Sequence, residues 1–274
     1  MATGVVEVRQ VWAENADYEF SLIRSVVCCG RFCFAAFDTE YPGTIYIPTP
    51  DVDPRGLSPT QRYELLKLNV DALHIVQLGL ALSDAAGRLP DLGTCGAFRF
   101  VWQFNFCDFD LLGGYPHNPD SGIDFGALRC YGLDLRRFAE LLASSGLLGP
   151  AAGMIWVTFH GAYDFGYVVK ALLGGRRLPP RMDDFLALVR YYFGPLVFDV
   201  KHLMRHCQRM VGGLENAAKL LSVPRDVERA HQAGSDALLA ARVFAELTRV
   251  YFAGRYDILG AFAAGVLYGL EPLH

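Results

Sequence analysis

A chain of 274 residues with 52% apolar content can bury a large core and is not a disordered segment. Its net charge of −4 and pI near 6.0 exclude the broad basic face that grips duplex DNA without regard to sequence, and leave only a local basic groove. Its seven cysteines are scattered without zinc-finger or zinc-ribbon spacing, which suits free thiols in a reducing compartment.

Val6 to Glu14 opens in alternation and predicts a short strand, and Ala16 to Val26 follows helical spacing. Phe32 to Glu40 is an apolar run that ends in two carboxylates and then Pro42-Gly43, the pattern of a central strand buried on both faces. After a Pro- and Asp-rich loop, Ser58-Pro59 signals a helix over Gln61 to Leu73. Val76 to Ser83 and Phe98 to Phe106 predict an antiparallel pair, the second with aromatics alternating onto one face. Asp108 to Ile123 is irregular. Helices are expected at Leu133 to Ser144, Tyr163 to Leu173, Met182 to Phe193, from Leu203, at Leu214 to Leu221 and at Ser235 to Phe252. Strands are expected at Met154 to His160 and Leu196 to Val200. No internal repeat or flexible linker divides the chain, so one α/β domain spanning 1–274 is expected, with a mixed sheet covered by helices. The first fifteen residues carry Glu7, Arg9 and Glu14 and no signal-peptide core. Ala261 to Leu270 is too short and too Gly-interrupted to span a bilayer. A soluble intracellular protein is the expectation.

Asp38 and Glu40 are two residues apart on a strand and therefore project from the same face. Two adjacent carboxylates need a cation or a shared proton, unless both are simply solvated at the strand end. Asp164 stands in the first turn of a helix that follows a buried strand, either as a capping acid or as a third ligand. In His231-Gln232-Ala233-Gly234-Ser235-Asp236, the histidine lies in a polar loop and Asp236 opens a long helix. Alone, each of these has a plain structural reading. Together they place four carboxylates at rigid element ends, as phosphoryl transfer through two divalent ions about 4 Å apart requires. A histidine in the adjoining loop suits the general base.

The order Asp-x-Glu, Asp, His-x4-Asp resembles the DEDDh class of 3′-to-5′ exonucleases. Phe37-Asp38-Thr39-Glu40-Tyr41-Pro42-Gly43, Gln103-Phe104-Asn105-Phe106, Tyr163-Asp164-Phe165-Gly166-Tyr167, Asp199-Val200-Lys201 and His231 to Asp236 are similar to the CAF/POP-type poly(A) deadenylases, over nearly the whole chain. That resemblance implies a ribonuclease H-like fold and a catalytic set of Asp38, Glu40, Asp164, His231 and Asp236. The four acids would hold two divalent ions (Mg²⁺, with Mn²⁺ or Zn²⁺ as substitutes), and His231 would be the general base. It implies the 3′ end of poly(A) RNA as substrate and 5′-AMP as product. The implied partners are the Not scaffold and a second, adaptor-bound deadenylase of the Ccr–Not complex, with no membrane. The implied location is the cytoplasm, including mRNA-decay foci, and also the nucleus. The chain departs from the family at Tyr41, where Phe is usual, at Gly161-Ala162, where Ser-Gly is usual, in 107–119, and in 224–230, which lacks a common glycine. The alternatives are a weakly active scaffold or adaptor subunit and a DNA-directed exonuclease of the same chemistry.

Five other features read as structure. His160 is expected to be a structural histidine at a buried strand end, and Lys201 an ion-paired or solvated lysine. His202 and His206 share a helix face without a third ligand. Phe98 to Phe106 reads as core rather than a base-stacking platform, and Arg176-Arg177 as a solvated turn.

Overall fold

The computed structural model describes residues 4–49, 53, 56–109, 122–227 and 232–271. In chain order the elements are β1 (Val5–Val11), α1 (Ala16–Cys28), β2 (Phe34–Glu40), α2 (Pro59–Ala72), β3 (Gln77–Ser83) and β4 (Phe98–Asn105). These are followed by α3 (Phe125–Tyr131), α4 (Leu135–Ala143), β5 (Ile155–Thr158), α5 (Ala162–Leu172), α6 (Met182–Phe193) and β6 (Val197–Asp199). Last come α7 (Val200–Leu203), α8 (Leu214–Leu220), α9 (Ala233–Phe252) and α10 (Tyr256–Phe262). The strands form one mixed sheet of order β1-β4-β3-β2-β5-β6. β4, β3 and β2 run as an antiparallel meander, while β1 is parallel to β4, and β5 and β6 run parallel to β2. The expected α/β class, central strand and antiparallel pair are all present.

The sheet separates two cores, and the two-residue period of β2 explains why. Ala35 and Phe37 pack with Trp102, Trp156, Phe165 and Phe193 on the face covered by α1, α2, α4, α5 and α6. Phe34 and Ala36 pack with Phe198, Leu238 and Phe244 on the face covered by α7, α8, α9 and α10. Phe100, Trp102, Phe104 and Phe106 are buried, as expected of core aromatics, while Phe98 at the strand start is exposed.

Several boundaries differ from expectation, each for a local reason. β1 ends at Val11, because the Asn15 carboxamide accepts from Trp12 N at 2.8 Å and donates to the Gln10 carbonyl at 2.9 Å, turning the chain into α1. The helix expected from Leu203 begins at Val200 and gives way to a 3₁₀ turn over Met204–His206. Asp199 caps it by accepting from Lys201 N at 2.9 Å. The short helices α3 and α10 were not expected; α3 is capped by Asp124, which accepts from Ala127 N at 2.9 Å. Most of the irregular stretch 108–123 lies outside the described residues.

Candidate active site

Asp38 and Glu40 continue the alternation of Phe34 and Ala36, so they face α9; Thr39 continues that of Phe37 and faces α5. This parity sorts the site. β5 pairs with β2 only over Phe34 to Ala36, so it leaves the tail of β2 without a strand partner on that side. α5 then supplies one. Asp164, in its first turn, accepts from Thr39 N at 2.8 Å and from Thr39 Oγ1 at 2.5 Å. The carboxylate thus takes the place of a ladder acceptor and seats α5 against the strand end.

On the other face, α9 comes down on β2 and β3. Asp38 lies opposite Gly79 in the β2–β3 register. A Cβ on Gly79 would sit 1.9 Å from the Ala233 carbonyl oxygen and 2.5 Å from Gly234 N. Only glycine permits that approach. Gly234 N in turn donates to Gln103 Oε1 at 3.1 Å. The N-terminus of α9 is therefore pinned over the sheet. Asp236, one helical turn in, meets Asp38 and Glu40, and one oxygen from each of the three lies within 4.8 Å of the others.

The Arg225 guanidinium stands at the edge of this group, and crowding of the carboxylates sets its electrostatics. Burial, then the carboxylates of Asp164, Asp236 and Glu40, push the Asp38 carboxyl well above the usual range. Burial, then Asp236 and Asp164, raise Glu40 to about 7. Burial raises Asp164 to about 7 against the opposing pull of its Thr39 hydrogen bonds. Hard carboxylate oxygens that cannot all ionise together suit a divalent cation such as Mg²⁺ or Mn²⁺. Asp38, Glu40 and Asp236 are a candidate ligand group, with Asp164 bordering it. His231 lies outside the described residues.

Two neighbours of the acids escaped the sequence reading. Thr39 is one, with its paired hydrogen bonds to Asp164. Arg225 is the other: its Nη2 donates to Asp236 Oδ1 at 2.6 Å and its Nη1 to Ser235 Oγ at 2.5 Å. The only sequence signal for Arg225 was its place in the divergent loop 224–230.

The lesser candidates fall into place as structure. His160 is not at a buried strand end. It lies in an exposed turn with left-handed backbone (φ 62°), where its N–H donates to Asp199 Oδ1 at 2.8 Å. Asp199 also accepts from Gly161 N at 3.1 Å and Tyr268 N at 3.0 Å, so it ties the turn before α5 to the C-terminal segment. Lys201 donates to the Gly212 carbonyl and lies over the rings of Phe159 and Tyr268. His202 Nδ1 stands 3.4 Å from Glu271, and the His206 ring packs between His202 and Phe262 at centroid distances of 5.3 and 5.1 Å. Tyr41 stacks on Tyr163 and packs against Tyr167, beside the site.

No family model matches the chain. It is 42% identical over 271 residues to the probable CCR4-associated factor 1 homolog 7 of Arabidopsis thaliana, covering 97% of this chain and 94% of that one. It is 36% identical over 279 residues to the poly(A) ribonuclease pop2 of Schizosaccharomyces pombe, covering 98% and 77%. Among solved structures, S. pombe Pop2p in its Mg²⁺- and Mn²⁺-bound form superposes with a TM-score of 0.82 at 36% identity, over 96% of this chain and 99% of that one. Yeast CAF1 co-crystallised with the NOT1 MIF4G domain gives 0.76 at 30%, over 96% of each chain. Escherichia coli exonuclease I, at 15% identity and a TM-score of 0.52 over 82% of this chain and 43% of that one, shares the fold alone. With its ribonuclease H-like sheet and its acids on two element ends and a strand, the chain belongs to the CCR4-associated factor 1 (Pop2) family of nucleases.

Proposed function

We propose that this protein is a metal-dependent 3′-to-5′ exoribonuclease that shortens mRNA poly(A) tails and releases 5′-AMP. The observation that carries the reading is the convergence of Asp38, Glu40 and Asp236 within 4.8 Å, in a chain 36% identical to a poly(A) ribonuclease. Asp38, Glu40, Asp164 and Asp236 would hold two divalent ions, Mg²⁺ first and Mn²⁺ or Zn²⁺ as substitutes. When bound, such ions supply Lewis acidity and offset the negative charge that develops on the phosphodiester. The protein's own work is placement. β2 and α9 fix the ligand carboxylates on rigid elements, and Thr39 locks the Asp164 carboxylate at the strand end. His231 takes the proton of the attacking water. That water adds to the terminal phosphorus, the bond from phosphorus to the penultimate O3′ breaks, the departing oxygen takes up a proton from solvent, and the products are 5′-AMP and an RNA with a free 3′-hydroxyl, shorter by one nucleotide.

One nuclease domain spans the chain, and its likeness to a CAF1 co-crystallised with the NOT1 MIF4G domain supports a Not scaffold as partner. A second, adaptor-bound deadenylase completes the assembly in the cytoplasm, with nuclear access. Asp38→Ala and Asp236→Ala are each expected to reduce the shortening of 5′-labelled oligo(A) to background, as is EDTA. Activity that survives undiminished in both variants overturns the metal assignment. Oligo(dA) cleaved as fast as oligo(A) would reassign the protein to DNA.

A further inference from the structure

We propose that Arg225 is a positioning residue for the metal ligand Asp236: it fixes the orientation of that carboxylate and weakens the grip of the site on the divalent ion beside it. The inference rests on the metal-dependent reading above and deepens it. Arg225 precedes α9 in a loop and is itself largely buried, with 16% of its side chain exposed. Its partners come from two elements. On α9, Asp236 Oδ1 and Ser235 Oγ accept from the two ends of the fork at 2.6 and 2.5 Å. On α8, Glu215 Oε1 accepts from Nε at 3.1 Å and also from Nη2. Ser235 Oγ passes the tie back to the loop by donating to the Val227 carbonyl at 3.0 Å. The guanidinium is planar and carries a fixed charge, so it holds the carboxylate in one orientation.

This arrangement differs from an ordinary surface ion pair in one respect. Asp236 belongs to the three-carboxylate group, and the charge of Arg225 also reaches Asp38, whose negative form it favours. A permanent cation in contact with a metal ligand repels a divalent ion placed on the same carboxylate. The same contact limits the rotation of that ligand and so favours turnover once the ion is bound. Glu215, half-exposed on the far side of the fork, partly offsets the guanidinium charge. Orientation and charge therefore predict effects of opposite sign on turnover and on metal binding. A purely structural salt bridge predicts neither.

The test titrates Mn²⁺ into the purified 274-residue chain by calorimetry and measures single-turnover AMP release from oligo(A) at saturating Mn²⁺. Arg225→Gln is expected to bind Mn²⁺ about tenfold more tightly and to turn over about tenfold more slowly, with the KM for oligo(A) unchanged. Arg225→Lys keeps the charge without the fork, so its Mn²⁺ midpoint stays within about twofold of wild type while turnover still falls. Glu215→Gln removes the offsetting carboxylate and moves the midpoint in the other direction, toward weaker binding. Unchanged or weaker Mn²⁺ binding in Arg225→Gln overturns the proposal, as does unchanged turnover in both Arg225 variants. Asp236→Ala separates this from failure of the parent reading: if it binds Mn²⁺ like wild type, the metal assignment itself falls. If it loses Mn²⁺ while Arg225→Gln matches wild type, only the role of Arg225 is lost. Circular dichroism and thermal melts confirm that each variant is folded.

Discussion

The side chains of the site are held under mutual repulsion, and that repulsion has a sign that can be measured. Glu40 and Asp164 are raised to about 7, first by burial, and Asp38 lies well above its usual range. An acid whose folded value exceeds its unfolded value of about 4 favours the fold below that unfolded value. The contribution is lost as pH rises through the folded value. In EDTA, the melting temperature is therefore expected to fall by several degrees between pH 5 and pH 8, and Mg²⁺ or Mn²⁺ at pH 8 is expected to reverse the fall. Asp38→Asn should flatten the slope in EDTA. A slope that is the same with and without metal would detach these acids from the stability of the chain. At this scale the candidate ligands were legible in the sequence, because Asp38-Thr39-Glu40 and His231 to Asp236 stand in short motifs. Arg225 was not, because its partners Glu215, Ser235 and Asp236 stand at least ten residues away and meet it only in the fold.

Elements matter here chiefly through where they begin. α5 starts where the pairing of β5 with β2 has stopped, and α9 starts on the bare backbone of Gly79. Gly79→Ala is the sharpest test of that geometry. Its methyl must displace the Ala233 peptide, so the N-terminus of α9 lifts and Asp236 moves with it. A loss of about 1–3 kcal/mol in urea-measured stability is expected, together with AMP release near background. Near-normal activity would show that α9 need not lie so close to β3. The pattern of apolar residues predicted the sheet strands and long helices well, since β2 is an unbroken apolar run closed by acids and α9 carries apolar residues at helical spacing. The short helices were hidden for a physical reason. α3 contains Gly126 and α10 contains Gly260, which lower local helical preference, and both are seven residues long. α7 is four residues set by the Asp199 cap rather than by any apolar stripe.

The molecule as a whole joins its end to its centre. Gly265 N donates to the Val197 carbonyl at 2.8 Å and Val266 bridges Phe198, so the C-terminal segment covers the open edge of β6. Through Asp199, the same segment reaches the turn that launches α5 and Asp164. Truncation after Ala253 removes none of the candidate ligands, yet it is expected to lower AMP release about a hundredfold by loosening that turn. A truncated chain with normal turnover would show that Asp164 is seated by Thr39 alone. This long-range tie could not be read from the sequence, where Asp199 looks like an ordinary strand end.

The seat of α9 on Gly79 has a consequence for synthesis. Asp38 and Glu40 leave the ribosome well before Asp236. A growing chain thus carries an incomplete set of acids and cannot assemble the site until α9 settles on the sheet.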